Sequence, residues 1–313
     1  MLDTPVLFLI FNRPDTTVQV FEQIRKVKPK HLFIAADGAR LQKNGDAERC
    51  EHARKIVTDG IDWNCEVQLL FRDENLGCGR AVSEGITWFF EHVDYGIILE
   101  DDTVPDTSFF YFCEQLLLRY SQEESVMHIG GNNYFNKDNK ESYYFSFYAH
   151  PPHGWATWKR AWKHYDFKMQ NPSLSILESK LKSIIQNQEV ESFWMEAFVA
   201  MREKDVDTWD TQWQFAIWSQ NGCTIMPYKN LVKNIGYHAD ATHTTNPGHR
   251  SNISVFYSID LAAIRHPTEI SVHAKYDNYK IEYIYLNKPT LRDKINAVVP
   301  KPIKNVFKRL LFL

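Results

Sequence analysis

The sequence predicts an α/β protein with a mostly parallel central sheet flanked by helices. In the first hundred residues, short apolar runs alternate with helical patterns, and the connections between them are short. This is the arrangement of consecutive βαβ units. The first apolar run, Pro5–Phe11, is continuous rather than alternating, which is typical of a central parallel strand buried on both faces. Each of the first four runs ends in polar residues, and right-handed crossovers place such strand ends on one edge of the sheet.

The elements of this first part follow in order. The run PVLFLIF at Pro5–Phe11 is interpreted as the first strand, and Pro14 then suits the first turn of a helix. Apolar residues recur at helical spacing over Thr16–Val27. The same reasoning predicts a strand at His31–Ala36, a helix over roughly Asp46–Val57, a strand at Glu66–Phe71, a helix over Gly77–Phe90 that opens with a glycine-rich turn, and a strand within Tyr95–Thr103.

After Asp102 the regular alternation ends. A helix rich in phenylalanine is predicted over Pro105–Tyr120, and amphipathic stretches at Leu174–Gln188 and Glu191–Glu203 stand apart from the strands, as an insert or a lid would. The remaining predictions are a strand at Val126–Ile129, an antiparallel strand at Tyr143–Tyr148, a rigid loop at His150–Trp155, a helix near Ala156–Tyr165, a helix over Thr208–Asn221, and a short strand at Cys223–Met226.

The composition is that of a globular protein with a substantial core. The chain has 313 residues, of which 44% are hydrophobic and 24% charged, enough for one large domain or two small ones. A net charge of −3 does not indicate a nucleic-acid partner. Five scattered cysteines without a CxxC pair indicate neither a disulfide framework nor a zinc site. The N-terminus has no signal-peptide pattern, so we expect a cytoplasmic protein.

The stretch YGIILEDDT, Tyr95–Thr103, ends in three consecutive acids, Glu100, Asp101 and Asp102. Three carboxylates at the end of a buried strand repel one another and lose hydration unless a cation neutralises them. In open α/β sheets, ligands bind outside the carboxyl ends of the strands. Mg²⁺ or Mn²⁺, which prefer hard oxygen ligands, would suit this place and would carry a phosphorylated ligand. The alternative is a solvated acidic turn that caps the next helix.

Polar side chains also follow the other three strands. Arginines beside carboxylates on one rim of the sheet suit a bound diphosphate with its metal. The alternative for any one arginine is a surface ion pair. The candidates for a nucleotide pocket are Asn12, Arg13, Asp37, Arg72 and Asn75, with Arg80 on the following helix as a further phosphate contact or partner of an acid.

Two later segments carry weaker signals. The polar loop Asn234–Arg250 contains three histidines, and one of them, taken as His243, would complete an octahedral metal shell; the alternative is plain surface. The tail Ile295–Leu313 combines lysines with a set of apolar residues that share one helical face. This tail fits an interfacial anchor to an anionic membrane, or a terminal helix packed on the domain.

Four motifs, in this order, resemble the glycosyltransferases of the GT-A fold. They are Asn12-Arg13-Pro14 after the first strand, Glu100-Asp101-Asp102, Gly154-Trp155 with Trp158 and Trp162 behind it, and Trp209-Asp210 with Trp213. The chain is similar in these motifs to the N-acetylglucosaminyltransferase I family and to bacterial nucleotide-diphospho-sugar transferases of surface-polysaccharide loci. The resemblance extends from Pro5 to Asn234.

The resemblance implies a metal-dependent, inverting transfer from a nucleoside-diphosphate sugar, with uridine as the expected base, to a hydroxyl of a glycan or lipid-linked glycan. It implies Mn²⁺ or Mg²⁺ on Asp102, with Asp101 and Glu100 contacting donor or metal, and Asp210 as the base that accepts the acceptor proton. The alternative for Asp210 is a helix N-cap. Trp155 and Trp209 would stack on sugar faces, or else pack in the core.

On this interpretation residues 1–130 bind the nucleotide sugar, and residues 131–250 form an acceptor-binding and catalytic half with a helical insert at about 166–205. Residues 251–313 form an extension whose tail associates with the inner face of the plasma membrane. The insert is longer than the family pattern implies, and Trp213 is displaced. Three other functions stay open: a retaining transferase, a non-catalytic sugar-binding subunit, and a sugar-phosphate nucleotidyltransferase, which would carry a glycine-rich loop where Asn-Arg-Pro-Asp stands.

Overall fold

The computed structural model describes residues 1–134, 139–149, 152–185, 187–204, 206–236 and 255–286. The strands are β1 (Val6–Ile10), β2 (His31–Ala36), β3 (Glu66–Phe71), β4 (Tyr95–Glu100), β5 (Thr103–Pro105), β6 (Val126–Gly130), β7 (Tyr143–Ser146), β8 (Trp155–Trp158), β9 (Cys223–Pro227) and β10 (Val232–Asn234). The α-helices are α1 (Pro14–Val27), α2 (Asp46–Gly60), α3 (Gly77–His92), α4 (Thr107–Arg119), α5 (Lys159–Trp162), α6 (Leu174–Ile184), α7 (Gln188–Glu203), α8 (Asp210–Ser219) and α9 (Ala274–Lys280).

Eight of these strands form one sheet in the order β3-β2-β1-β4-β8-β6-β9-β7. The pairs β1–β2, β2–β3, β1–β4 and β6–β9 are parallel, whereas β8 runs antiparallel to both of its neighbours and β7 runs antiparallel to β9. Strands β5 and β10 form a separate antiparallel pair. The predicted class, a Rossmann-like α/β fold with a mostly parallel sheet, is confirmed.

Apolar side chains fill the space on both faces of this sheet. Successive residues of a strand point to opposite faces, and β1 shows the result, since Phe8 belongs to one apolar cluster and its neighbours Leu7 and Leu9 to the other. Helices α1, α2 and α4 cover the first face, and α3 with α5 to α8 cover the second. Burial on both faces explains the continuous apolar sequences of β1, β2 and β4, whereas the edge strand β3 is largely exposed.

Strand β8 corrects the prediction of a helix near Ala156–Tyr165. Trp155–Trp158 is extended, with Ile98 opposite Trp155 on one side and Gly130 opposite Trp155 on the other. The helix that follows, α5, begins only at Lys159. All four strand residues are buried, so no alternation of polar and apolar residues marked the strand. This strand joins the parallel half of the sheet to the later half.

The predicted helical insert lies against the sheet-covering layer rather than apart from it. Trp194 of α7 makes edge contact with Trp218 of α8 at 5.0 Å between ring centroids, and Phe198 contacts Phe215 at 5.3 Å. Leu177 and Leu181 of α6 are fully buried in the same cluster. The insert is therefore part of the core on this face.

The eight-stranded sheet draws strands from both sides of residue 130, so the predicted boundary there does not separate two sheets. The functional division into three parts stays a prediction. In the described ranges no helix is both long and apolar enough to cross a membrane. The tail at 295–313 lies outside those ranges, as does the loop segment that contains His243.

Candidate functional site

The acidic cluster lies where β4 ends, beside the N-terminus of α1. Arg13, the N-cap residue of α1, points its guanidinium at the cluster. Its Nη2 lies 2.5 Å from Asp101 Oδ1, and its Nη1 lies 2.8 Å from Asp102 Oδ2. The backbone amide of Phe11 donates to Asp101 Oδ2 at 3.1 Å. Ion pairs thus connect the polar residues that follow β1 to those that follow β4. The sequence predicted that these strand ends lie on one edge of the sheet.

One arginine does not balance three carboxylates. Burial is the main cause that raises the pKa of Glu100 well above its usual value, and the neighbouring charge of Asp102 raises it further. Burial likewise raises the pKa of Asp101 to about 6. Burial would also raise the pKa of Asp102, but Arg13 and His153 outweigh it, and that pKa is lowered. The raised pKa values favour the neutral forms of Glu100 and Asp101, and a further cation near these acids would stabilise their ionised forms.

The small sheet formed by β5 and β10 positions polar groups next to Asp102. The amide of Ile235 donates to the carbonyl oxygen of Asp102 at 2.8 Å. The Nδ2 of Asn234 lies 3.1 Å from Nδ1 of His153. At Gly236, a Cβ atom would come within 2.3 Å of Asp102 Oδ2. Only glycine allows the chain to pass so close to this carboxylate.

Asp37 organises the second and third strand ends. Its carboxylate accepts hydrogen bonds from the amides of Gly38, Leu76 and Gly77 and from the side chain of Asn75, the last at 2.8 Å. These bonds hold the turn that starts α3. Burial nevertheless raises the pKa of Asp37. Both carboxylate oxygens of Asp37 are occupied by these hydrogen bonds. Asp37 and Asn75 therefore form part of the pocket wall.

Asn12 belongs to a neighbouring buried network. It donates to Asp46 Oδ1 at 2.5 Å, and Arg40 and Arg49 contact the same carboxylate at 2.8 and 2.7 Å. The hydrogen bond from Arg40, with those from Asn12 and Arg49, keeps the pKa of Asp46 well below its usual value against the effect of burial. The guanidinium of Arg40 also lies 5.2 Å from the ring centre of Phe11. Asp46 fixes the rim on this side, a role that sequence reasoning missed.

These strand ends enclose a cleft with about 720 Å³ of empty space, its open mouth included. The sequence-predicted residues that it brings together are Arg13, Asp37, Arg72, Asn75, Glu100 and Asp101. Residues of β1 and α3, together with Ala35, Arg40 and Asp207, form most of the rest of the wall. A pocket with apolar walls and a few convergent charged groups is typical of small-ligand sites.

Asp207 is a lining residue of this cleft that sequence reasoning missed. Its carboxylate accepts from the amides of Cys78 and Gly79 at 3.0 and 2.6 Å, at the N-terminus of α3. A negative charge there is stabilised by the unpaired amides and the helix dipole. The available signal was the position of an acid shortly before Trp209-Asp210; its partner, more than a hundred residues earlier, was not visible in the sequence.

Asp210 is the first residue of α8, and Trp209 is the N-cap residue. One carboxylate oxygen of Asp210 accepts from the hydroxyl of Thr208 at 2.6 Å and from the amide of Thr211 at 2.8 Å. Its charge is one of the causes that raise the pKa of Glu100, so the two carboxylates lie near each other. Asp210 is therefore not the N-cap residue that the sequence suggested as an alternative, and this end of α8 has no side-chain cap hydrogen bond among the described residues.

Arg80 does not line this cleft. Its guanidinium lies 5.0 Å from the ring centre of Phe167, on the far side of α3, in a second cleft. Trp155 and Trp209 are 1% and 3% exposed and stack on each other at 5.5 Å with an angle of 15° between their planes. Both indoles therefore pack in the core, which was the alternative to sugar stacking. A stacking contact with a sugar would require them to become exposed.

The residues at the end of β4 fit a divalent cation of one particular kind. No group of three or more potential ligands is arranged as a complete metal site among the residues described. Mg²⁺ bound with phosphates takes only one or two carboxylates and completes its shell from phosphate oxygens and water. Asp102, with Glu100 and Asp101 beside it, suits that mode.

Comparisons with known proteins add little to this geometry. No family model and no curated protein matches the chain. Among solved structures 126 chains match. One of them is HddC from Yersinia pseudotuberculosis, with 9% sequence identity and a TM-score of 0.32 over 52% of this chain and 80% of that one. A likeness of this size carries no functional argument, so the function is argued from the site.

Proposed function

We propose that this protein is a metal-dependent glycosyltransferase of the GT-A type. The observation that carries the proposal is the cleft at the carboxyl ends of β1 to β4, which Arg13, Glu100 and Asp101 line. Asp102 is not among the lining residues, but it is held beside them by its ion pair with Arg13. The donor is a nucleoside-diphosphate sugar, with uridine as the expected base. The acceptor is a hydroxyl of a glycan or lipid-linked glycan used in cell-surface polysaccharide synthesis.

In this proposal Asp102 holds Mn²⁺ or Mg²⁺, which would offset the negative charge on the leaving diphosphate. Arg13 keeps Asp102 ionised and oriented, as its 2.8 Å contact and the lowered pKa support. The nucleoside occupies the part of the cleft between β1, β2 and α3, where Arg72 and the Asp37–Asn75 pair form the wall. Glu100 and Asp101 face the donor's charged and hydroxyl groups.

Asp210 is proposed as the base of an inverting transfer. Two donors hold one of its oxygens, which orients the carboxylate. Asp210 is not a lining residue of the cleft, but its charge acts on Glu100, which does line the cleft, and this supports a position near the reacting groups. As the acceptor hydroxyl attacks the anomeric carbon, its proton passes to Asp210. Membrane contact through the tail and a metal contact from His243 remain proposals about residues outside the described ranges.

The first test is calorimetric binding of UDP with and without Mn²⁺. We expect manganese-dependent binding to the wild type and its loss in Asp102→Ala, because the carboxylate that holds the metal is removed. The control Asp59→Ala removes an exposed acid that pairs with Lys55 of the same helix and should bind as the wild type does. Preference for GDP or CDP would change the donor class. Absence of nucleotide binding in the presence of metal would contradict the proposal.

The second test is Asp210→Asn, which keeps the oxygen that accepts from Thr208 and Thr211 but removes the base. We expect UDP binding to be retained and sugar transfer, measured on a donor identified by the binding screen, to fall by about 10²-fold or more. A near-normal rate would support the retaining alternative, which needs no base on the acceptor side.

A further inference from the structure

A second cleft lies across α3 from the first and encloses about 1120 Å³ of empty space, open solvent included. The insert supplies most of its wall. Arg80, Phe167, Lys168, Arg202, Lys204 and Gln212 are among the residues that line it. This cleft is where the structure places Arg80, which the sequence had suggested as a phosphate contact.

The cleft is positively charged. Among the described lining residues four are cations, Arg80, Lys168, Arg202 and Lys204, and one is an acid, Glu203. Asp166 lies near enough to act on Arg202. In the part of the chain that the structure describes, no carboxylate forms an ion pair with Arg80, Lys168 or Lys204. Cations gathered in a cleft raise the local concentration of anionic ligands.

Two buried polar atoms in the wall lack partners among the described residues. Gln212 is 2% exposed, and its Oε1 accepts no hydrogen bond there. The Nη2 of Arg202 donates to the carbonyl oxygen of Pro172 at 2.6 Å, but its buried Nε has no acceptor. Leaving such groups unpaired is costly. A ligand with a hydroxyl for Gln212 and an anionic oxygen for Arg202 would satisfy both.

The cleft is connected to the first by the segment that precedes α8. The side chain of Gln212 donates to the carbonyl oxygen of Thr208 at 2.8 Å, and the hydroxyl of Thr208 donates to Asp210. Asp207 lines the first cleft, and Val206 lines the second. Thr208 is therefore hydrogen-bonded to both Gln212 and Asp210, and it connects the wall of the second cleft to Asp210.

We propose that this second cleft binds an anionic saccharide, the charge being that of a phosphate or a carboxylate, as the part of the acceptor next to the reacting hydroxyl. The acceptor role rests on the proposed transferase function; binding itself does not. The charged group meets the cations of the insert and Arg80, and a neighbouring hydroxyl meets Gln212.

The test is calorimetric titration with glucose 6-phosphate, glucuronate, glucose and inorganic phosphate. We expect both anionic sugars to bind the wild type, and glucose and inorganic phosphate to bind at least about tenfold more weakly because each lacks one of the two recognised groups. In Lys168→Gln/Lys204→Gln, affinity for the anionic sugars should fall about fivefold. The matched control Lys26→Gln/Lys163→Gln makes the same charge change outside the cleft and should bind as the wild type does.

The outcomes separate this site from the proposed function. The proposed binding site would be contradicted if Lys168→Gln/Lys204→Gln bound the anionic sugars with unchanged affinity. It would also be contradicted if the wild type did not bind them. Equal binding of inorganic phosphate would overturn the saccharide part. UDP binding with Mn²⁺, measured on the same proteins, should be equal in the wild type and the cleft variant. Failure of UDP binding with intact anionic-sugar binding would overturn the transferase and the acceptor role, and leave the site.

Discussion

At the scale of single residues, Arg13 has the most consequences. Its guanidinium contacts Asp101 and Asp102 at once, and the two carboxylates in turn raise its pKa despite burial. Partly buried charges are tolerated only when they are paired and hydrogen-bonded. Arg13 therefore stabilises the ionised form of Asp102 and leaves Glu100 as the least compensated acid of the three.

A second residue, His128 in β6, is enclosed by aromatic rings. Its ring stacks on Trp155 at 5.1 Å between centroids, and its Nδ1 accepts from Nε1 of Trp213 at 3.2 Å. Because Nδ1 accepts, the proton of the neutral ring is on Nε2. Burial, helped by the charge of Lys280, lowers the pKa of His128 to about 3. The folded protein thus holds this histidine neutral.

We predict that His128 makes the protein sensitive to acid. A pKa that is lower in the folded state contributes stability above the unfolded value, about 6.5, and that stability is lost as the pH falls toward 3. Between pH 7 and pH 4 the loss is about 3 kcal/mol in the free energy of unfolding. In His128→Gln, which keeps an acceptor for Trp213, urea unfolding should show a pH 7-to-4 loss smaller by that amount.

The matched control is His52→Gln, which removes an exposed histidine of α2. Its loss of stability between pH 7 and pH 4 should equal that of the wild type. A His128→Gln protein that loses as much stability as the wild type would show that this ring is protonated in the folded state.

At the scale of elements, the N-terminus of α3 connects the first cleft to the segment before α8. Asp37 binds the amides of Leu76 and Gly77, and Asp207 binds those of Cys78 and Gly79. Unpaired amides at a helix N-terminus need such acceptors. Two carboxylates from distant parts of the chain share this helix end, which fixes the wall between the two clefts.

Gly77 is required at that helix end for two reasons. Its φ is +80°, and a Cβ there would lie 2.9 Å from both carboxylate oxygens of Asp207. We predict that Gly77→Ala lowers the free energy of unfolding by about 2 kcal/mol, from left-handed strain and displacement of Asp207. Denaturant unfolding measures this, and UDP binding should weaken in parallel.

Gly45 offers the comparison, since its φ is +74° and a Cβ there would meet only Arg49 Nη1 at 3.4 Å. Gly45→Ala should cost about 1 kcal/mol, the strain alone. Equal costs at the two positions would show that Asp207 moves aside freely.

At the scale of the whole molecule, one core layer includes both the sheet and the insert. Leu7 and Ile98 of the parallel strands, Trp218 of α8, and Trp194 and Phe198 of α7 belong to the same apolar cluster. Apolar contacts of this kind are the main source of folding stability. The insert is therefore expected to unfold together with the sheet rather than to open as an independent lid.

We predict that Trp194→Ala lowers the free energy of unfolding by about 3 to 4 kcal/mol, because it removes a fully buried indole and leaves a cavity. Far-UV circular dichroism and tryptophan fluorescence should still report one common transition in urea. The neighbouring Phe193 is 45% exposed, and Phe193→Ala should cost less than about 1 kcal/mol. Two separate transitions in either protein would contradict the shared core.

Much of this architecture follows from local sequence. Continuous apolar runs with helical patterns between them predicted β1 to β4 and α1 to α3, because burial on both faces and helical periodicity leave direct traces in the chain. The polar ends of those strands predicted where a ligand would bind, and Arg13, Asp37, Arg72, Asn75, Glu100 and Asp101 do lie together in one cleft.

Tertiary structure alone decided the rest. Trp155–Trp158 became a central strand because β4 and β6 pair with it from both sides, a constraint that four buried residues cannot express locally. Arg80 points away from the first cleft, and Asp207 points into it, because the segment before α8 packs against α3. The elements that the sequence determined follow from patterns within each segment of the chain. Strand β8 and Asp207 are instead fixed by partners in other segments, which local patterns do not record.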